Sequence, residues 1–214
     1  MPELLEAILL VGGQGTRLRP LTIGTPKPLL PTAGVPFLAH QFAKAAASGV
    51  THVVLATAYR ASMFAECFGD GAAFGLRISY VHEAEPLGTG GAIRNAASGL
   101  RCGPDSPVVV LNGDILSGHD ISAQVDLHRK SDAAVTLHLV EVPDPARFGC
   151  VPTDPEGRVT AASHLRCRSI WAGMSCPDST SPFSTTTGLS GPPRRPAAAF
   201  RMAPPVPSGS ASCT

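Results

Sequence analysis

The sequence predicts an α/β fold: a Rossmann-like open, mostly parallel sheet with helices on both faces, lacking a normal C-terminal part. Three observations carry this. Short continuous apolar runs recur up to Val140, stretches with helical spacing fall between them, and the composition changes abruptly after about residue 162.

Each run suits a strand buried on both faces. Ala7–Val11 stops at Gly12-Gly13, and the same signature recurs at Thr51–Thr57, Leu76–Val81, Val108–Leu111 and Ala133–Val140. Helix-like stretches cover roughly Phe37–Ser48, Ala61–Phe68, Gly90–Ser98 and Ile121–Lys130. Strand and helix alternate, and right-handed crossovers put every C-terminal strand end on one side, the edge where ligands bind. Three loops meet there: Gly12–Thr25, Glu83–Gly91 and Asn112–His119.

The chain has 214 residues, 43% hydrophobic and 15% charged, enough for one sizeable domain with a large core. Net charge is +1 and the basic residues are scattered, so nucleic acid is not the expected partner. Cysteines stand at 67, 102, 150, 167, 176 and 213, with no C-x-x-C pair and no zinc-ligand spacing. Cys67 and Cys102 lie within or beside helix-like segments and are expected as buried, reduced thiols. Met1–Glu6 lacks the basic opening of a secretory signal, and Ala7–Val11 is far too short to cross a bilayer. The expectation is a cytoplasmic protein with no membrane partner.

Residues 163–214 read differently. They hold one acidic residue, Asp178, no lysine, and a Pro192-Pro193-Arg194-Arg195-Pro196 stretch in a Ser/Thr/Pro/Gly background. This composition predicts a disordered or poorly folded tail rather than a second domain, and residues 1–162 as one incomplete nucleotide-binding domain.

The chemistry-bearing motifs lie before residue 120. Gly12-Gly13-Gln14-Gly15-Thr16-Arg17-Leu18 is a glycine-rich turn after a buried strand. Glycines let backbone N–H groups approach phosphate oxygens, and Arg17 adds a planar fork of donors. Alone, such a loop is equally an ordinary strand-to-helix turn. It matches neither the dinucleotide fingerprint nor a Walker loop. Three prolines, Pro26, Pro28 and Pro31, frame Lys27 in a stiff extended segment able to hold a lysine over a phosphate. Glu83–Ile93 is a Pro turn and Gly-rich bend leading into a helix near Gly90, whose free N–H groups could read a base edge. Asn112-Gly113-Asp114 closes an apolar strand and places a carboxylate where Mg²⁺ can be held by oxygen ligands. The alternative for Asp114 is a helix-capping or turn residue, and Asp120 reads as a helix N-cap and ranks second as a metal ligand.

Together these stretches resemble the sugar-1-phosphate nucleotidyltransferase family: G-G-x-G-T-R-L-x-P-L-T followed by P-K-P-L over Gly12–Leu29, Pro86-Leu87-Gly88-Thr89 after Glu83 and Glu85 in place of the family's E-x-P-L-G-T-A-G segment, with Gly90 where Ala is usual, and L-N-G-D at Leu111–Asp114. The resemblance implies a nucleotide held by Leu10, Gly12, Gly13, Gly15, Thr16, Arg17, Glu83, Pro86, Gly88 and Thr89. Arg17 would stabilise the pyrophosphate leaving group and Lys27 the α-phosphate, while Asp114 binds catalytic Mg²⁺. Glu83 and Glu85 are candidate partners for guanine's N1–H and N2 amine. Asn112 and Gly149 fall on the substrate side. The implied partners are a nucleoside triphosphate and a sugar 1-phosphate, and the family's habits are compatible with a homo-oligomer.

The cues at Val11–Gly13, Pro26–Pro28 and Glu85–Thr89 look more like the branch using GTP and mannose 1-phosphate than like the glucose-1-phosphate thymidylyltransferases. A heptose-1-phosphate guanylyltransferase would look nearly the same. A non-catalytic nucleotide-sugar-binding regulatory subunit is the alternative of another class. Similarity runs from about Leu4 to Ala161, including Phe148–Val151 and Asp154–Val159. The family's Glu-Lys pair for the sugar and its phosphate is missing after Val159, and no second metal-binding Asp has a matching context. A frameshift or truncation would produce this change. The expectation is that nucleotide binding survives and transfer by this chain is weak or absent.

Overall fold

The computed structural model of the chain describes residues 4–103, 105–131, 133–140 and 151–159. The chain divides into two units, with the break after Gly118.

The first unit is built on four parallel strands: β1 (Leu5–Leu10), β4 (Val50–Thr57), β5 (Arg77–His82) and β6 (Val108–Asn112), in the order β5-β4-β1-β6. A two-residue hairpin of β2 (Pro31–Thr32) and β3 (Val35–Pro36) precedes α1 (Phe37–Ala47). Its turn residues Ala33 and Gly34 have φ 52° and 84°, as a tight hairpin of the required twist demands. Helices α2 (Ala61–Phe68) and α3 (Gly88–Ala96) join β4 to β5 and β5 to β6. The strand order moves outward from β1 to β4 and β5, then returns to β6 on the other side of β1. That reversal is a topological switch point.

Burial explains the uninterrupted apolar strands. Ala7, Ile8 and Leu9 are inaccessible or nearly so, as are Val53 to Leu55. Alternate residues serve opposite faces. Ile8, Val54 and Ala56 pack with Ala96 of α3 on one face. Helix α1 buries Leu38, Gln41, Phe42 and Ala45, the spacing of a single stripe. Phe42 meets Phe68 of α2 edge to face with ring centres 5.0 Å apart, and Phe74 completes the trio. Gly49, at φ 85° just past α1, takes the left-handed conformation that ends a helix.

One polar cluster lies inside this apolar frame. Glu6, 1% exposed, accepts hydrogen bonds from the backbone N–H groups of Arg101 (2.8 Å) and Cys102 (2.6 Å). Nδ1 of His52 donates to the other carboxylate oxygen, and its Nε2 lies 2.8 Å from the Ser79 hydroxyl. Burial alone would raise the Glu6 pKa. The Cys102 thiol, His52 and the two N–H groups outweigh it and hold the carboxyl down at about 2. The same carboxylate, after burial, pushes the Cys102 thiol up to about 11.

In the second unit, α4 (Ile121–Lys130) starts at Asp120, whose side chain accepts from Ala123 N at 3.0 Å. The N-cap reading of Asp120 therefore agrees with the structure. His128 Nδ1 lies 2.9 Å from the Thr136 hydroxyl, and the rings of His119 and His138 stack at 4.2 Å.

Three expectations need correction. Ala133–Val140 forms no strand, because among the described residues nothing pairs with it, and a strand exists only through its ladder. Helix α3 begins at Gly88 rather than near Gly90: the glycines taken for a bend form its first turn. Cys67 and Cys102 are in no disulfide among the described residues, as expected of reduced thiols, but are only half-buried. Gly149, the remaining cysteines and the 163–214 tail lie outside the described residues.

Candidate nucleotide site at the sheet reversal

The loops after β1 and β6 meet because their strands are neighbours. Gly113 N donates to Leu10 O at 2.9 Å, tying the two strand ends together. A Cβ on Gly113 would lie 2.3 Å from Val11 Cγ1 and 3.1 Å from Leu10 O, so only glycine fits this contact. Beside it, Gly12 approaches Ala58 after β4, where an added Cβ would meet that residue at 3.3 Å.

The glycine loop folds back on itself. Gly15 has φ 60°, and its carbonyl accepts from the buried Thr22 hydroxyl at 2.8 Å. Tyr59, beyond β4, donates to Ile23 O at 2.9 Å. A Cβ on Gly15 would lie 3.1 Å from Lys27 Cβ, so the loop passes directly beside the lysine. Lys27 opens a short 3-10 turn, Lys27–Leu29, whose Pro28 and Leu29 are buried. That anchor leaves the ammonium half-exposed, 2.8 Å from Asp114 Oδ2.

The structure thus joins Leu10, Gly12, Gly15, Lys27, Asn112 and Asp114 at one sheet edge. Gly13, Thr16 and Arg17 lie on the same loop and are exposed, facing solvent rather than core. The Glu83–Thr89 loop leaves the same end of the sheet from β5, where Glu83 N donates to Thr57 O at 2.8 Å. Two strand spacings separate β5 from β1, about 10 Å, the scale of a nucleoside between base and phosphate. Gly88, at φ 69°, Thr89 and the next two glycines put unblocked N–H groups at the start of α3, and Pro86 is exposed. Glu83 is 8% exposed and its carboxylate reaches Leu87 N at 3.5 Å, so it serves its own loop. Glu85 is the exposed carboxylate there.

Among the described residues, no group of three or more His, Cys, Asp or Glu side chains is placed to hold a metal. A lone half-exposed carboxylate at a strand end fits Mg²⁺ in the mode that uses one or two carboxylates plus substrate phosphates. It does not fit a closed protein cage.

Sequence reasoning missed Gln41, Thr22 and Tyr59, which support these loops. The signal for Gln41 was present: it is the one polar residue at the core spacing Leu38, Gln41, Phe42, Ala45.

A mannose-1-phosphate guanylyltransferase of Mycobacterium tuberculosis is 56% identical over 156 residues, covering 73% of this chain and 43% of that protein. A mannose-1-phosphate guanylyltransferase catalytic subunit beta of Drosophila pseudoobscura pseudoobscura is 40% identical over 153 residues, covering 71% and 41%. The chain thus spans less than half the length of these relatives. Among solved structures, HddC from Yersinia pseudotuberculosis complexed with GMP-PN aligns with a TM-score of 0.61 and 28% identity, over 74% of this chain and 68% of that one. Residues 6–162 match the family described as nucleotidyl transferase. The chain belongs to the nucleotidyl transferase family.

Proposed function

We propose that this chain binds a nucleoside triphosphate, GTP in preference to dTTP or UTP, with Mg²⁺ at the β1/β6 edge, as the nucleotide half of a sugar-1-phosphate guanylyltransferase. The observation that carries the proposal is the convergence of Gly15, Lys27 and Asp114 at the sheet reversal. Guanine is supported by the kinship with proteins named mannose-1-phosphate guanylyltransferase and by the similar structure described as complexed with GMP-PN. Mannose 1-phosphate is the favoured acceptor on the same kinship.

The reaction is an in-line displacement. A sugar-phosphate oxygen attacks the α-phosphorus, the bond to the β-phosphate oxygen breaks, and pyrophosphate leaves. No side chain need form a covalent intermediate, so the residues position groups and neutralise charge. Lys27 offers its ammonium to the α-phosphate and Arg17 its guanidinium to the departing pyrophosphate. The Gly12–Arg17 backbone holds the phosphates, and the start of α3 with Glu85 faces the base. Asp114 would hold Mg²⁺, which when bound supplies charge neutralisation on the phosphate oxygens. Among the described residues no helix is long and apolar enough to cross a membrane. A cytoplasmic setting, where nucleoside triphosphates are found, suits this reading.

Calorimetric titration with GTP, dTTP and UTP in Mg²⁺ tests binding, and exchange of labelled pyrophosphate into GDP-mannose tests chemistry. Equal or tighter dTTP binding would move the assignment to the thymidylyltransferases. Binding of a nucleotide sugar without exchange would favour a regulatory role.

A further inference from the structure

The turn that presents Asp114 has little structure of its own. It follows β6, and residues 115–120 have no regular backbone hydrogen bonding of helix or strand. Ile115 and Leu116 are exposed. The carboxylate is nevertheless aimed at Lys27, so something must hold the turn.

Two side chains of α1 hold it. Gln41, 2% exposed, sends its side-chain amide to the carbonyls on either side of Gly113-Asp114: Nε2 donates to Asn112 O at 3.1 Å and to Ile115 O. One NH₂ group carries two donors, and here both are used on a single turn. Three residues along the helix, Lys44 Nζ donates to Ser117 O and lies 3.5 Å from its hydroxyl. The spacing of three puts both side chains on one face of α1. With Gly113 N fixed to Leu10 O, the turn is pinned from the sheet on one side and from α1 on the other.

We infer that Gln41 is a positioning residue for Asp114, clamping the two carbonyls that flank it and fixing the carboxylate where cation and nucleotide phosphates meet. A buried amide otherwise costs free energy unless it is bonded, and a hydrophobic residue would suit this helix position better for packing alone. The inference rests on the reading of Asp114 as the metal-binding carboxylate.

The test uses the full chain and GTP, titrated calorimetrically in Mg²⁺ and again in EDTA. Gln41→Met keeps the length of the side chain and removes both donors. The expected result is a loss of GTP affinity of about tenfold in Mg²⁺, the scale seen when partners of metal ligands are removed, with no change in EDTA. In an Asp114→Asn background, Gln41→Met should have no further effect. An equal loss in EDTA, or a loss that persists in the Asp114→Asn background, would make Gln41 merely structural and overturn the inference. So would unchanged affinity in a Gln41→Met protein that melts cooperatively. Should that variant not fold, Lys44→Met, on a less buried residue, must give the same Mg²⁺-confined pattern at a smaller size, and its failure to do so overturns the inference equally. If Asp114→Asn binds Mg²⁺ and GTP as the parent does, the reading of Asp114 itself falls, and this inference with it. If Asp114→Asn responds and the α1 variants do not, only the inference falls.

Discussion

Lys27 Nζ and Asp114 Oδ2 lie 2.8 Å apart although the residues are 87 positions apart in sequence. The ammonium sits where a cation would sit on that carboxylate, so under the proposed function the lysine and Mg²⁺ would compete for Asp114 in the free chain. Both partners are more than a third exposed, and such pairs contribute at most about 1 kcal/mol. Lys27→Met is therefore expected to strengthen Mn²⁺ binding without nucleotide by a few-fold and by less than about tenfold. Electron paramagnetic resonance of free Mn²⁺ reads this directly, and weaker Mn²⁺ binding would contradict the competition.

Turnover should respond to the same residues in the opposite sense. Removing one well-placed charge at a transferring phosphate costs roughly 10²–10³ in rate. Whatever pyrophosphate exchange the chain supports, Asp114→Asn and Lys27→Met should each lower it by that order with the fold intact, down to none where the parent rate is already weak. A near-normal rate for Asp114→Asn at limiting Mg²⁺ would place the metal elsewhere.

Two glycines separate packing from binding. Gly113→Ala forces a methyl group against Val11 and the Leu10 carbonyl, and overpacking of this kind costs about 1–3 kcal/mol. Gly13 is exposed with nothing within 4 Å of an added Cβ, so Gly13→Ala should change stability by less than about 0.5 kcal/mol. The same substitution should weaken GTP binding by placing a methyl group between backbone and phosphate. Denaturant melts and calorimetry on both variants check the pair.

Glu6 should make folding acid-sensitive. Its carboxyl has an ordinary value of 4.5 and is held at about 2 in the fold, so the folded state binds this proton less readily than the unfolded chain. The contribution is fully present above about pH 4.5 and is lost as pH falls toward 2. Glu6→Gln should flatten the stability profile across that window. Parallel profiles for the two proteins would show that another group governs acid unfolding.

The Cys102 thiol, raised to about 11, stays protonated at pH 8. Since the thiolate is the nucleophile, iodoacetamide should label Cys102 slowly in the folded chain and quickly in denaturant. Mass mapping of the labelled peptides distinguishes the two. Rapid labelling without unfolding would show that the Glu6 cluster opens readily.

Much of this was legible in the sequence. Helices α2 and α4 fall where periodicity puts them, because flanking residues and helical spacing are local properties. The candidate site residues stood out as motifs through their resemblance to the family, since a glycine loop read alone is equally an ordinary turn; the structure brings Gly15, Lys27 and Asp114 together. The Glu6–His52–Ser79 chain was not: it depends on which strands are neighbours, and an acidic residue near a chain end reads as solvated. Gln41 escaped for a related reason, since its partners are backbone carbonyls that carry no residue identity. Ala133–Val140 misled because an apolar run states a wish for a neighbour without supplying one.

The position of β6 beside β1 also sets an order of events on the ribosome. The glycine loop and Lys27 emerge early, and the carboxylate they face emerges only with residue 114. A nascent chain holding β1, β4 and β5 carries the glycine loop and Lys27 without Asp114, the carboxylate that Lys27 meets in the folded chain. It gains that carboxylate only when β6 slides in along β1. Under the proposed function, nucleotide capture dependent on Mg²⁺ would then report docking of β6, so the ligand doubles as a probe of how far folding has advanced during synthesis.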